Sequence, residues 1–102
     1  MTSRYGFQAT ITAQPGKGAH LVDLLLSAPS LSHHDCLVFL VSRSASNPDL
    51  VLVTEGWVTQ AAHARFFASD IAQAYVARFA SLAAGESIYV EAVPAGGKAI
   101  LT

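Results

Sequence analysis

Two apolar runs in the middle of the chain, residues 36–41 and 50–57, are separated only by a turn-rich stretch that contains Asn47-Pro48-Asp49. Runs rich in Val, Leu and Phe favour extended backbone, and a turn of this composition between them predicts an antiparallel hairpin with a longish loop. Residues 36–41 are apolar at every position, so this strand is expected to be buried on both faces.

The flanks supply the rest of a fold. Residues 5–13 alternate strictly, with Tyr5, Phe7, Ala9, Ile11 and Ala13 on one side and Gly6, Gln8, Thr10 and Thr12 on the other. That is the pattern of a half-buried strand. After Gln14-Pro15-Gly16, residues 17–27 place Leu21, Leu24 and Leu25 at helical spacing until Pro29 ends the run. Thr59 stands where an N-cap belongs, and Ser69-Asp70 offers a second cap, which predicts a short helix to about residue 68 and a longer one over 70–82. Gly85 closes that helix, and residues 87–93 alternate again before Pro94, Gly96 and Gly97. The order strand, helix, strand, strand, helix, strand is the split βαββαβ arrangement of the α+β ferredoxin-like fold, an antiparallel sheet with helices on one face. Residues 1–102 form one domain, with its core over about 5–93 and a tail over 94–102.

The other face of that sheet has no cover within the chain. On strands one and four it is expected to carry Gln8, Thr10, Tyr89 and Glu91, a mixed surface. Only 13% of residues are charged, against roughly 25% in an ordinary soluble domain, and 52% are hydrophobic. A second copy of the chain is the expected cover. The formal net charge of −1 leaves no electrostatic footprint for nucleic acid or an anionic membrane. The longest apolar run, 36–41, is too short to span a bilayer, and no apolar stretch follows Arg4 as in a secretory signal. The expected location is cytoplasmic, and the single cysteine, Cys36, cannot form an intrachain disulfide.

Asp35-Cys36-Leu37, Phe39, Asn47-Pro48-Asp49 and Val53-Thr54-Glu55-Gly56-Trp57 resemble, in order and spacing, the Gly-Cys-Leu strand, Asp-Pro loop and Glu-x-Trp strand of the antibiotic biosynthesis monooxygenase domain. Pro94-Ala95-Gly96-Gly97-Lys98 is similar to the Gly-Gly-Lys tail of many members, so the resemblance covers residues 5–98. It implies a dimeric α+β barrel, two sheets packed together, with a pocket in each subunit between helices and sheet. It also implies oxygenation of electron-rich aromatics such as anthrones and quinols with no metal, flavin or other cofactor, the substrate itself supplying electrons to dioxygen. Other members degrade haem. The family's helix usually carries a histidine nine residues after the tryptophan, and that position is Phe66 here. His63, six residues after Trp57, faces nearly the same way and is the expected replacement. Haem-degrading members place an asparagine on the first strand, where this chain has Phe7 or Gln8, which argues against haem.

The expected catalytic residues are therefore His63 and Trp57. An unperturbed pKa of about 6.5 suits His63 to deprotonating a phenol near neutral pH. Trp57 can wall an aromatic pocket and donate its N–H to a quinone-like oxygen. Gln8, Phe66, Phe67 and Tyr75 are the expected substrate contacts, with Phe79 beside them; for all of these, core or surface packing is the plainer alternative. Glu55 is expected to pair with Arg43 across the hairpin. His33-His34-Asp35-Cys36 has metal-ligating side chains, but neighbours entering a strand are expected to splay apart and no second cluster completes a ligand set, so no metal is expected. Gly16-Lys17-Gly18 lacks the spacing and hydroxyl of a nucleotide-binding loop. The expected function is cofactor-independent monooxygenation of a small aromatic, quinol or polyketide-type molecule by a homodimer. The rival is a non-catalytic ligand-binding or structural barrel, and a third reading is an isomerase or cyclase using His63 and Glu55.

Overall fold

A computed structural model describes residues 2–101. The elements run β1 (Tyr5–Thr12), α1 (Gly18–Leu25), β2 (Cys36–Arg43), β3 (Leu50–Trp57), α2 (Gln60–Phe67), α3 (Asp70–Ala77) and β4 (Ile88–Glu91), with short 3-10 turns at Pro29–Ser32 and Arg78–Ser81. All four strands form one antiparallel sheet in the order β2-β3-β1-β4, the ferredoxin-like layout expected from the order of elements. No helix among the described residues is long and apolar enough to cross a membrane.

Both predicted caps form. The Thr59 hydroxyl oxygen accepts from the Ala62 N–H at 3.1 Å and that of Ser69 from the Ala72 N–H at 3.3 Å, each satisfying a donor that the first helical turn leaves free. The predicted helix over 70–82 tightens to 3-10 geometry at Arg78, a common way for a helix to end. Asp49, the last residue of the hairpin loop, fixes the start of α1: its carboxylate accepts from the Gly16 N–H at 3.0 Å and the Gly18 N–H at 2.9 Å. These glycines thus bind the chain's own carboxylate, and the two N–H groups hold Asp49 below its ordinary pKa.

The inward side of β1 packs with Val51 and Val53 of β3 beneath Leu21 and Leu25 of α1. Leu21 is fully buried, so Leu21→Ala is expected to lower stability by about 2–5 kcal/mol in urea unfolding, the transfer and cavity cost of a core leucine.

Two expectations for the sheet need correction. Residues 36–41 are only half-buried rather than buried on both faces, because β2 is an edge strand with a neighbour on one side alone. Tyr89 and Glu91 lie on the helix side, not the open side: β4 pairs Tyr89 with Ala9 and Glu91 with Phe7, and antiparallel partners share a face. Ile88 and Val90 therefore take the open face, together with Gln8, Thr10, Leu52, Val38 and Leu40. That face is more apolar than the sequence suggested. Its one end is crossed by the tail, since a Cβ at Gly6 would stand 2.8 Å from Pro94 Cδ and one at the paired Gly56 would stand 2.7 Å from Pro94 Cγ.

Candidate functional site

The helices do not close tightly on the sheet. Between them lies a cavity of about 650 Å³, floored by Tyr5, Phe7 and Ile11 of β1 with Glu55 of β3, and roofed by His63, Phe66 and Phe67 of α2 with Tyr75 of α3. The strict alternation of β1 is what delivers an unbroken row of side chains to this floor. Tyr89 and Glu91 complete it at the β4 edge.

His63 packs edge-on against Trp57 at 5.2 Å and Phe7 at 5.3 Å between ring centres, and tilts over Tyr5 at 5.4 Å. This aromatic surround desolvates the imidazole and holds its pKa below the ordinary 6.5, so the ring is neutral at neutral pH. Phe66 also meets Trp57, at 5.1 Å, which bears out the shared direction of the two α2 side chains.

Trp57 has a different part from the one expected. It is fully buried and does not line the cavity, and its indole N–H donates to Glu55 Oε1 at 2.9 Å. The N–H is thus committed within the protein, and the indole braces His63 and Phe66 from behind. Glu55 likewise departs from expectation. Arg43 donates its Nε–H to the Pro48 carbonyl at 2.9 Å, and Glu55 instead turns into the cavity under Trp57. Gln8 lies outside the cavity: adjacent to Phe7 on an alternating strand, it projects from the open face and reaches the Thr54 hydroxyl at 3.4 Å. The structure thus brings His63, Phe66, Phe67 and Tyr75 together around one space and leaves Trp57 and Gln8 outside it. Tyr5, Tyr89 and Glu91 are lining residues absent from the expected site, and Glu55, expected there only as the acid–base group of the third reading, lines it as well. The parity of β3 was a usable signal, since Glu55 shares its side with buried Val51, Val53 and Trp57.

His33 and His34 do not splay apart. They occupy the turn before β2, where their rings stack at 5.0 Å, His33 Nδ1 accepts from the Asp35 N–H at 3.1 Å, and His34 Nε2 lies 3.4 Å from Asp35 Oδ1. Cys36 is half-buried, and burial pushes its thiol up to about 11. Among the described residues no group of three or more His, Cys, Asp or Glu side chains could hold a metal ion.

Burial pushes Glu55 above its ordinary 4.5, with the Trp57 hydrogen bond opposing the shift. Folded Glu55 then binds its proton more tightly than unfolded Glu55. Its contribution to stability is complete below pH 4.5 and is lost as pH rises through the folded pKa. Glu55→Gln keeps an acceptor for the indole and removes the titration. Urea unfolding over mildly acid to neutral pH is expected to show the wild-type chain losing stability relative to this variant as pH rises.

Residues 4–78 match the family model described as antibiotic biosynthesis monooxygenase. None of the curated proteins matches the chain. Among solved structures, a protein from Chloroflexus aurantiacus, provisionally named an antibiotic biosynthesis monooxygenase, is 29% identical over 94% of this chain and 97% of its own, with a TM-score of 0.81. A protein from Pseudomonas aeruginosa shares the fold at 23% identity, 94% and 98% coverage and a TM-score of 0.77. So does one from Deinococcus radiodurans with the same provisional name, at 20% identity, 96% and 99% coverage and a TM-score of 0.72.

Proposed function

The chain belongs to the antibiotic biosynthesis monooxygenase family, and from that premise we propose that it is a homodimeric, cofactor-independent monooxygenase acting on a small aromatic, quinol or polyketide-type molecule held in the helix–sheet cavity. The observation that carries this reading is His63, a neutral imidazole set among aromatic rings in the wall of a space large enough for a fused-ring substrate. For an anthrone, the net change is one methylene and one dioxygen to one carbonyl and one water. His63 takes the phenolic proton of the enol form, and the phenolate passes an electron to dioxygen. The two radicals join to form a carbon–oxygen bond. His63 returns the phenolic proton to the resulting peroxide; it then takes the carbon's remaining hydrogen as a proton while the oxygen–oxygen bond breaks, and gives that proton to the departing hydroxide to form water.

A second copy of the chain covers the open face of the sheet. Leu52, Ile88 and Val90 are all exposed there in the single chain, an apolar surface that supports a sheet-to-sheet dimer. Phe66, where the family usually has histidine, favours a second reading, a non-catalytic ligand-binding barrel.

Oxygen uptake separates the two. Purified protein supplied with a panel of anthrones and hydroquinones is expected to accelerate uptake above the spontaneous rate for at least one member. Binding without any acceleration across the panel would leave the ligand-binding reading in place of the enzyme.

A further inference from the structure

Two polar features of the cavity are left unused by that chemistry. The first is Tyr75, whose ring lines the cavity and stands edge-on to Phe79 at 5.2 Å. Its hydroxyl is buried and has no hydrogen-bond partner among the described residues. A buried donor left unpaired is costly and uncommon in native proteins, and a ligand that completes the bond is one reason to keep it. Burial and the nearby Glu55 carboxylate hold this phenol far above its usual range, so it remains a donor at any physiological pH. The ring borders the space, and reading a molecule seated there requires the side chain to turn its enclosed O–H toward it.

The second feature is charge. Glu55 and Glu91 line the cavity, and no Lys or Arg does; the other titratable lining groups are Tyr5, His63, Tyr75 and Tyr89. An anionic ligand would meet two carboxyl groups in the lining, while Arg78, close enough to act on the Tyr75 phenol, is not itself a lining residue. Glu91 stands exposed on the edge strand β4.

We propose that the cavity takes an uncharged aromatic molecule bearing a hydrogen-bond-accepting oxygen, that Tyr75 reads this oxygen, and that Glu55 and Glu91 reject anionic analogues. The inference rests on the cavity being the ligand site, as the proposed function has it.

Three stable compounds of one skeleton test it by calorimetric titration: fluorenone, fluorene, and fluorenone carrying a carboxylate. Wild-type protein is expected to bind fluorenone about tenfold more tightly than fluorene, the value of one hydrogen bond to a buried donor. Tyr75→Phe is expected to erase that ratio through loss of fluorenone affinity alone, while fluorene binding is unchanged and the protein melts no lower than wild type. A role in packing would weaken both ligands together. The carboxylate is expected to bind at least about tenfold more weakly than fluorenone, and the double variant Glu55→Gln, Glu91→Gln to recover most of that loss. A fluorenone-to-fluorene ratio that is the same in wild type and Tyr75→Phe would overturn the inference while leaving the cavity a ligand site. So would a carboxylate that binds as tightly as fluorenone. Failure of all three compounds to bind wild-type protein would overturn the cavity reading itself, and this inference with it.

Discussion

His63→Gln protein is expected to oxidise anthrone with dioxygen about 100-fold or more slowly than the wild-type chain, the usual contribution of a positioned general base. Glutamine fills similar space, and His63 is only half-buried, so the fold should survive. What disappears is a neutral nitrogen able to take a proton beside the substrate. Because burial lowers the His63 pKa, the wild-type rate should rise with pH to a plateau whose midpoint lies below 6.5. The variant should lack that plateau and instead gain rate at higher pH, where the substrate ionises without help. Stopped-flow absorbance of the anthrone anion and oxygen-electrode rates across pH both read this difference. A variant as fast as wild type would remove His63 from the reaction and leave the cavity to binding alone.

The second large effect concerns assembly. Leu52 lies on central strand β3, faces away from the helices and is 37% exposed in the single chain. Leu52→Asp therefore costs the isolated subunit little, whereas in a sheet-to-sheet dimer it buries a carboxylate with no partner, at about 3–5 kcal/mol. That corresponds to a dissociation constant raised by about two to four orders of magnitude for each buried carboxylate. Sedimentation equilibrium is expected to show a dimer for wild type and a largely monomeric, folded variant at micromolar concentration. Val90→Asp, on edge strand β4 of the same face, should act in the same direction. A wild-type chain that is monomeric under these conditions would contradict the proposed assembly.

Local signals carried most of the fold. Alternation over β1, the caps at Thr59 and Ser69, and the Asn47-Pro48-Asp49 turn each act within a few residues, and the structure keeps all of them. What depended on pairing was harder to read. The side taken by Tyr89 and Glu91 is set by the register of β4 against β1, and alternation pointed the other way because the more apolar Ile88 and Val90 take the open face. Trp57 shows the same limit at the site. The destination of its N–H hinged on Glu55, two residues earlier on the same side of β3. Glu55 could have been assigned inward by parity; its pairing with Arg43 was assumed from charge, and the Pro48 carbonyl took that guanidinium instead.

The central claim, that this cavity performs oxygenation without a bound cofactor, is tested most directly with isotopically labelled dioxygen. Chelator-treated protein incubated with anthrone is expected to consume one dioxygen for each anthrone and to place one labelled oxygen atom in the product ketone, at a rate proportional to protein and lost in His63→Gln. Label incorporation no faster than in buffer alone, with anthrone bound in the cavity, would contradict it.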